Sequence, residues 1–301
     1  MDMPQEKIRT VLSIDWDFFF FRALEAEDVK KTVEVNGRPV SLWGFFDWGH
    51  SETQGGGLQT LLWHVRFLDF TRQGLDPYVI AGINKEFGCT DPDAFNAFVM
   101  KALGVKDANV NISDSHRHAY YTMDDAAQNA GAPVHVIHFD AHHDLGYGKR
   151  KYANRKNKVY DAEDWLYAAL DTGIVKSVQV VYPNWRGLVE KEGSNLEHLC
   201  DYDVAFTTWD AWCKAPPINI EVVDIHIARS GAWVPPWFDK QFEEFTRMWS
   251  APELTCMDCI VSGNSNQPHA CEIRPWEDPK VDATDELDAF QQLAGQLPQP
   301  R

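Results

Sequence analysis

Six short runs rich in Val and Ile, at 11–14, 110–112, 134–139, 177–182, 204–208 and 222–228, constrain the fold of this 301-residue chain most. Strands buried on both faces of a parallel sheet read as such runs rather than as apolar–polar alternation. Helical patterns lie between them. Leu58, Leu61, Leu62, Val65 and Leu68 recur at i, i+3, i+4 spacing and predict a helix over 58–72. Asp91 followed by Pro92 is an N-cap plus first-turn signal, and Gly104 is a stop, so 92–103 is predicted helical. Residues 161–172 and 236–249 also read as amphipathic helices. Strands alternating with helices imply an α/β fold, a three-layer α/β/α arrangement around a mainly parallel sheet. No Gly/Ser-rich or Pro-rich linker divides the chain. The expectation is one domain over 1–285, with 286–301 as a peripheral tail.

Charge excludes some functions. Forty-five acidic against 28 basic side chains give a net −17. Such a surface disfavours nonspecific nucleic acid or anionic membrane contact, since both require positive charge. It favours cationic partners. No apolar run approaches the ~20 residues needed to span a bilayer, and MDMPQEKIRT lacks a signal-peptide pattern. The six cysteines are too sparse for a disulfide framework, and with no export signal a reducing cytoplasm is expected. Cys256, Cys259, His269 and Cys271 have a spacing open to a structural zinc, but one C-x-x-C with an irregular second half reads more simply as ordinary thiols.

The chemistry concentrates where apolar runs end. In HFDAHHDLGYG (138–148), Asp140, His142 and Asp144 stand at i, i+2, i+4. If strand geometry continues, all three face one way, at the carboxyl end of a strand, where open α/β sheets place ligands. Two carboxylates and an imidazole converging there would repel one another and desolvate badly without a cation. SIDWDFFF (13–20) repeats the arrangement with Asp15 and Asp17, and the aromatic run behind them argues for burial. In ISDSHRHAY (112–120), Ser113 or Asp114 reads as a helix N-cap, which leaves His116 unexplained; His118 is its local competitor. Asp15, Asp17, His116, Asp140, His142 and Asp144 make four carboxylates and two imidazoles with no thiolate. That set suits Mn²⁺, or Fe²⁺, Co²⁺ or Zn²⁺, better than a soft metal. Four carboxylate charges balance two divalent cations, and two metals roughly 3.5–4 Å apart can share a bridging hydroxide at neutral pH.

These segments resemble a known family. DAHHD is similar to the D-A-H-x-D signature of the arginase/agmatinase ureohydrolases, and SIDWD to their S-x-D-x-D strand. SDSH, whose histidine stands 24 residues ahead of Asp140, resembles their G-G-D-H segment. The resemblance implies two Mn²⁺ per chain and hydrolysis of a guanidinium to an amine and urea. It implies that His116 and Asp144 hold one metal, that His142 and Asp17 hold the other, and that Asp140 and Asp15 bridge. The order differs, because S-x-D-x-D comes first here; a circular permutation accounts for that. In the family a guanidinium-gripping glutamate follows S-x-D-x-D, and Glu52 in DWGHSE is the matching candidate, with His50 as a rival ligand or proton carrier. His143 and Asp164 are other candidates for the proton path.

Ordinary arginases follow D-A-H-x-D with Asn, Thr and Ser residues that recognise free arginine, and with a catalytic His. The stretch GYGKRKYANRKNKVYDAEDWL has no such pattern. The permuted order together with AEDWL and ARSGAWVPPW resembles the peptide arginases, which convert arginine residues to ornithine in ribosomally made peptides. That implies an arginine-containing precursor peptide as partner and leaves an oligomer open. Lys149, Arg150, Lys151, Arg155, Lys156 and Lys158 form a basic stretch in this acidic chain, either a solvated loop or a contact for acidic residues of the peptide. Arg229, Trp233 and Trp237 either line the site mouth or simply pack. Asp201 and Asp203 precede their strand and so fall at the wrong end of the sheet.

Overall fold

The computed structural model describes residues 7–20, 32–35, 38–41, 63–64, 67–68, 70–71, 74, 76–80, 88–146, 162–186, 199–231 and 233–249. Those within Met1–Phe21, Ile83–Ser230 and Gln241–Glu272 form one compact unit, and those within Arg22–Gly82 and Gly231–Lys240 form another.

The first unit is built on a parallel sheet. Its six strands are β1 (Ile8–Asp15), β4 (Asn109–Ser113), β5 (Val134–Phe139), β6 (Val175–Tyr182), β7 (Asp203–Thr208) and β8 (Ile220–Ala228), in the spatial order β4-β8-β1-β5-β6-β7. Every pairing is parallel. All six carboxyl ends therefore open at the same edge, and the polar segments that follow β1, β4, β5 and β8 meet there. All six strand expectations fall inside these elements, as the fold class does.

Helices cover the sheet through its apolar positions. On one face, Val11, Val134, Val136, Val178 and Val180 pack with Ala119, Tyr120, Met123, Ala126 and Ala127 of a helix over Ala119–Ala130 and with Trp165, Leu166, Ala168 and Ala169 of a helix over Trp165–Asp171. The other face is aromatic. Phe139 lies 5.0 Å from Phe95 and 5.0 Å from Trp212, and Phe95 stacks 4.9 Å from Trp209. Trp16 and Phe19 continue this layer onto Phe245. The helix Pro92–Leu103 has the predicted ends. The Asp91 carboxylate accepts from the backbone N–H groups of Asp93 and Ala94, and Gly104 closes it at φ 58°, a left-handed position that glycine adopts without side-chain strain.

Two helices of this unit lie outside the predicted helical ranges. Ala119–Ala130 has a sequence, AYYTMDDAAQNA, with few large apolar residues, and its buried side relies on alanines that let the backbone approach the sheet. Trp209–Lys214 is only six residues long, capped by the Thr208 hydroxyl. The expected helix over 161–172 is shorter, Trp165–Asp171, and that over 236–249 is a 3₁₀ turn, Pro236–Phe238, followed by the helix Asp239–Arg247.

In the second unit, β2 (Thr32–Val35) and β3 (Arg38–Ser41) pair antiparallel. Residues 63–64, 67–68 and 70–71 are helical, within the predicted 58–72. Trp237 lies edge-on to Trp63, Phe67 and Tyr78, and the Trp63 indole donates to the Gly231 carbonyl at 2.9 Å. Trp237 is therefore a packing residue. No helix among the described residues is long and apolar enough to cross a membrane.

Candidate metal centre

Strand register assembles the floor of the site. Ser13 stands opposite His138 on one side and His226 on the other, so three polar side chains share a row and a face. All three are fully buried. Beyond the row the backbone leaves strand geometry. Asp15 is the last residue of β1, and Asp17 lies in the 3₁₀ turn Trp16–Phe19. β5 ends at Phe139, and Asp144 has φ 50°, a left-handed conformation unusual for a residue other than glycine. Alternation therefore does not continue through Asp144; turns, not an extended strand, bring the carboxylates together.

The side chains form two adjoining groups. In the first, ligating atoms of His116, His138, Asp140 and Asp144 all lie within 4.8 Å of one another. His116 Nδ1 is 2.9 Å from Asp140 Oδ2, 2.9 Å from Asp15 Oδ2 and 3.4 Å from Asp144 Oδ2. His138 Nε2 is 3.2 Å from Asp140 Oδ2. In the second, Asp17, Asp140 and His142 converge: His142 Nδ1 is 3.2 Å from Asp17 Oδ2 and 3.4 Å from Asp140 Oδ1. Asp140 belongs to both groups, presenting a different oxygen to each.

The donor set fits a cation. His116 Nδ1, His138 Nε2 and Asp140 Oδ2 are buried atoms with no hydrogen-bond partner, and all three point into the first group. They approach one another closely without hydrogen-bond alignment. Leaving such atoms unsatisfied costs about 1–3 kcal/mol each, more where charge is involved, and a bound cation removes that penalty. His116, His138, Asp140 and Asp144 can thus bind a metal. Neighbours fix the ligands' orientation. The Ser230 hydroxyl donates to Asp15 Oδ2 at 2.6 Å from a left-handed backbone of φ 52°, and the Trp165 indole donates to Asp144 Oδ2 at 2.6 Å. The backbone N–H of Asp17 donates to Asp15 Oδ1, that of His142 to Asp140 Oδ1, and that of Ala141 to Asp17 Oδ1.

The ionisation states reflect this crowding. Burial, then the carboxylates of Asp17 and Asp15, hold Asp140 well above the usual carboxylate range. Asp144 is pushed well up by burial and by Asp140. Burial alone would lower His116, but Asp15, Asp144 and Asp17 outweigh it and raise it. Burial, with His116 and His143 beside it, drives His138 well down, which keeps its imidazole neutral as a ligand must be. Divalent charge in the groups would reverse the carboxylate shifts.

All six sequence-expected ligands lie in this constellation. Glu52, His50, the basic stretch from Lys149 to Lys158, the four residues of the zinc alternative and the tail 286–301 lie outside the described residues. Arg229 pairs with Asp114 at 2.7 Å. That pairing also corrects the capping expectation, since Asp114 binds Arg229 and the Ser113 hydroxyl donates to the Ser115 carbonyl. Sequence reading missed His138, Ser13, Trp165 and Ser230. His138 and Ser13 stand two residues before Asp140 and Asp15, so strand alternation alone could have placed them on the same face. Trp165 and Ser230 arrive from distant segments and carry no local signal. Comparison with known proteins finds no matching family model, no matching curated protein and no matching solved structure.

Proposed function

We propose that this protein is a binuclear-metal peptide arginase, a hydrolase that converts arginine residues of a precursor peptide to ornithine residues and urea. The observation that carries the reading is the position of Asp140. Its Oδ2 faces His116 and His138 while its Oδ1 faces His142, the disposition of a carboxylate bridging two cations. The presence of both S-x-D-x-D and D-A-H-x-D at that residue supports the ureohydrolase class, in permuted order.

Two divalent cations, Mn²⁺ by the resemblance, would supply a hydroxide nucleophile at neutral pH and polarise the tetrahedral intermediate. His116, Asp144, Asp140 and Asp15 would hold the first, and His142, Asp17, Asp140 and Asp15 the second. Ser230 fixes the Asp15 carboxylate and Trp165 the Asp144 carboxylate. Glu52 is assigned the guanidinium, which a carboxylate grips in a bidentate pair, setting its central carbon for attack. Water adds at that carbon, the bond to the side-chain nitrogen breaks, and the nitrogen leaves as a protonated amine. The basic stretch 149–158 is assigned to acidic residues of the peptide.

The test measures urea and peptide mass after incubating the Mn²⁺-loaded protein with free arginine and, separately, with peptides carrying an internal arginine and an acidic flank. Urea from the peptide, with arginine becoming ornithine, is expected. Urea mainly from free arginine would make the enzyme a small-molecule ureohydrolase. Acid release without urea would make it an amidase or deacylase. Metal-dependent peptide binding without turnover would make it a binding protein.

A further inference from the structure

The two cation positions do not have equal donors. The first is faced by two imidazoles, His116 and His138, and the second by one, His142. We propose that His138 is a resident ligand of the first position, and that the two positions therefore select different ions: a borderline, imidazole-preferring ion such as Co²⁺ or Zn²⁺ in the first, and Mn²⁺ in the second. The inference rests on the two-cation reading but not on the chemistry assigned to it.

Ser13 orients both rings. Its hydroxyl oxygen lies 2.7 Å from His116 Nε2 and 3.3 Å from His138 Nδ1. The opposite nitrogens, His116 Nδ1 and His138 Nε2, are turned toward the centre of the group, and these are its two buried nitrogens without a hydrogen-bond partner. One serine thus holds both rings so that these nitrogens face one point. The Asp140 Oδ2 between them is likewise unpartnered, so three atoms able to ligate a metal converge where a cation would lie. Both histidines and Asp140 are at least 99% buried, which leaves no water-facing role for His138.

Each imidazole donor moves a site away from hard, oxygen-preferring ions, and the stability order for divalent metals places Co²⁺ and Zn²⁺ above Mn²⁺ at such sites. The second position, with Asp17, Asp140 and a single imidazole, discriminates less.

The experiment loads metal-free full-length protein with one equivalent of Co²⁺ and then excess Mn²⁺, removes free metal, and measures the content of each. The Co²⁺ visible spectrum and the Mn²⁺ paramagnetic resonance signal report the two environments. The expected result is one Co²⁺ and one Mn²⁺ per chain. In His138→Gln the preference for Co²⁺ over Mn²⁺ at the first position falls by at least about tenfold, since even the hydrogen-bond partners of metal ligands carry about 10–100-fold in affinity. Melting and circular dichroism of the variant check its fold; if it does not fold, the wild-type metal content decides alone. Displacement of the Co²⁺ by Mn²⁺ in the wild type, or unchanged selectivity in a folded His138→Gln, overturns the proposal. Only one bound ion in total overturns the two-cation reading instead. Mixed occupancy without urea leaves the proposal standing and removes the arginase assignment.

Discussion

The two faces of the central strands differ by a single step along the chain. Ile14, Phe139 and Ile227 share one row and face an aromatic layer, while Ser13, His138 and His226, one residue earlier in each strand, share the next row and face the opposite way. All six are fully buried. The first row needs only neighbours of suitable shape. The second needs a partner for every polar atom, and it finds too few: His226 Nδ1, like His138 Nε2, has no hydrogen-bond partner. Burial alone thus separates a wall from a site only when the chemistry of the buried atoms is counted.

Substitutions on the two faces should have opposite signatures. Asp140→Ala removes the carboxylate common to both groups. Metal content should fall to near zero, and on the proposed function urea formation falls to background with it; full metal content would refute the site. Phe95→Ala strikes the other face. A buried Phe→Ala change costs about 3–5 kcal/mol, read as a lower denaturant midpoint, with metal stoichiometry unchanged while the protein stays folded.

Two smaller effects sharpen the contrast. Trp165→Phe keeps the ring beside His116 and deletes the indole donor to Asp144 Oδ2. Metal affinity should fall by about 10–100-fold, measured calorimetrically, with little change in melting temperature of the metal-free protein. His118, which leads into the helix covering the polar face, is lowered to about 4 by burial and by Arg117. The unfolded chain takes up a proton at about pH 6.5 and the folded one only near 4, so stability falls as pH drops through that window. Allowing for partial exposure, the loss is about 1–2 kcal/mol, and denaturation of His118→Gln at pH 7 and pH 4.5 should show a correspondingly flatter slope.

How much of this was legible follows from what each signal depends on. β5 coincides with the apolar run 134–139, and the helix 92–103 is bounded by Asp91 and Gly104, because both are set by local pattern and capping chemistry. The six expected ligands follow strand ends, where the register of a parallel sheet gathers them. The helix Ala119–Ala130 was opaque because small residues bury a face without a strong apolar period. Ser230 was opaque as a partner of Asp15 because 215 positions separate them, and only the pairing of β8 beside β1 brings them within 2.6 Å.

Asp144 has a second tie. Its carbonyl accepts from the backbone N–H groups of Leu166 and Tyr167, at the start of the helix Trp165–Asp171, and the Gly146 N–H donates to the Glu163 carbonyl. Gly146 and Glu163 are therefore held together beside the ligand, and Asp144 is tied through its carbonyl as well as its carboxylate. Displacing its side chain means breaking the start of the helix Trp165–Asp171 as well, so the metal group and the fold of that helix stand or fall together.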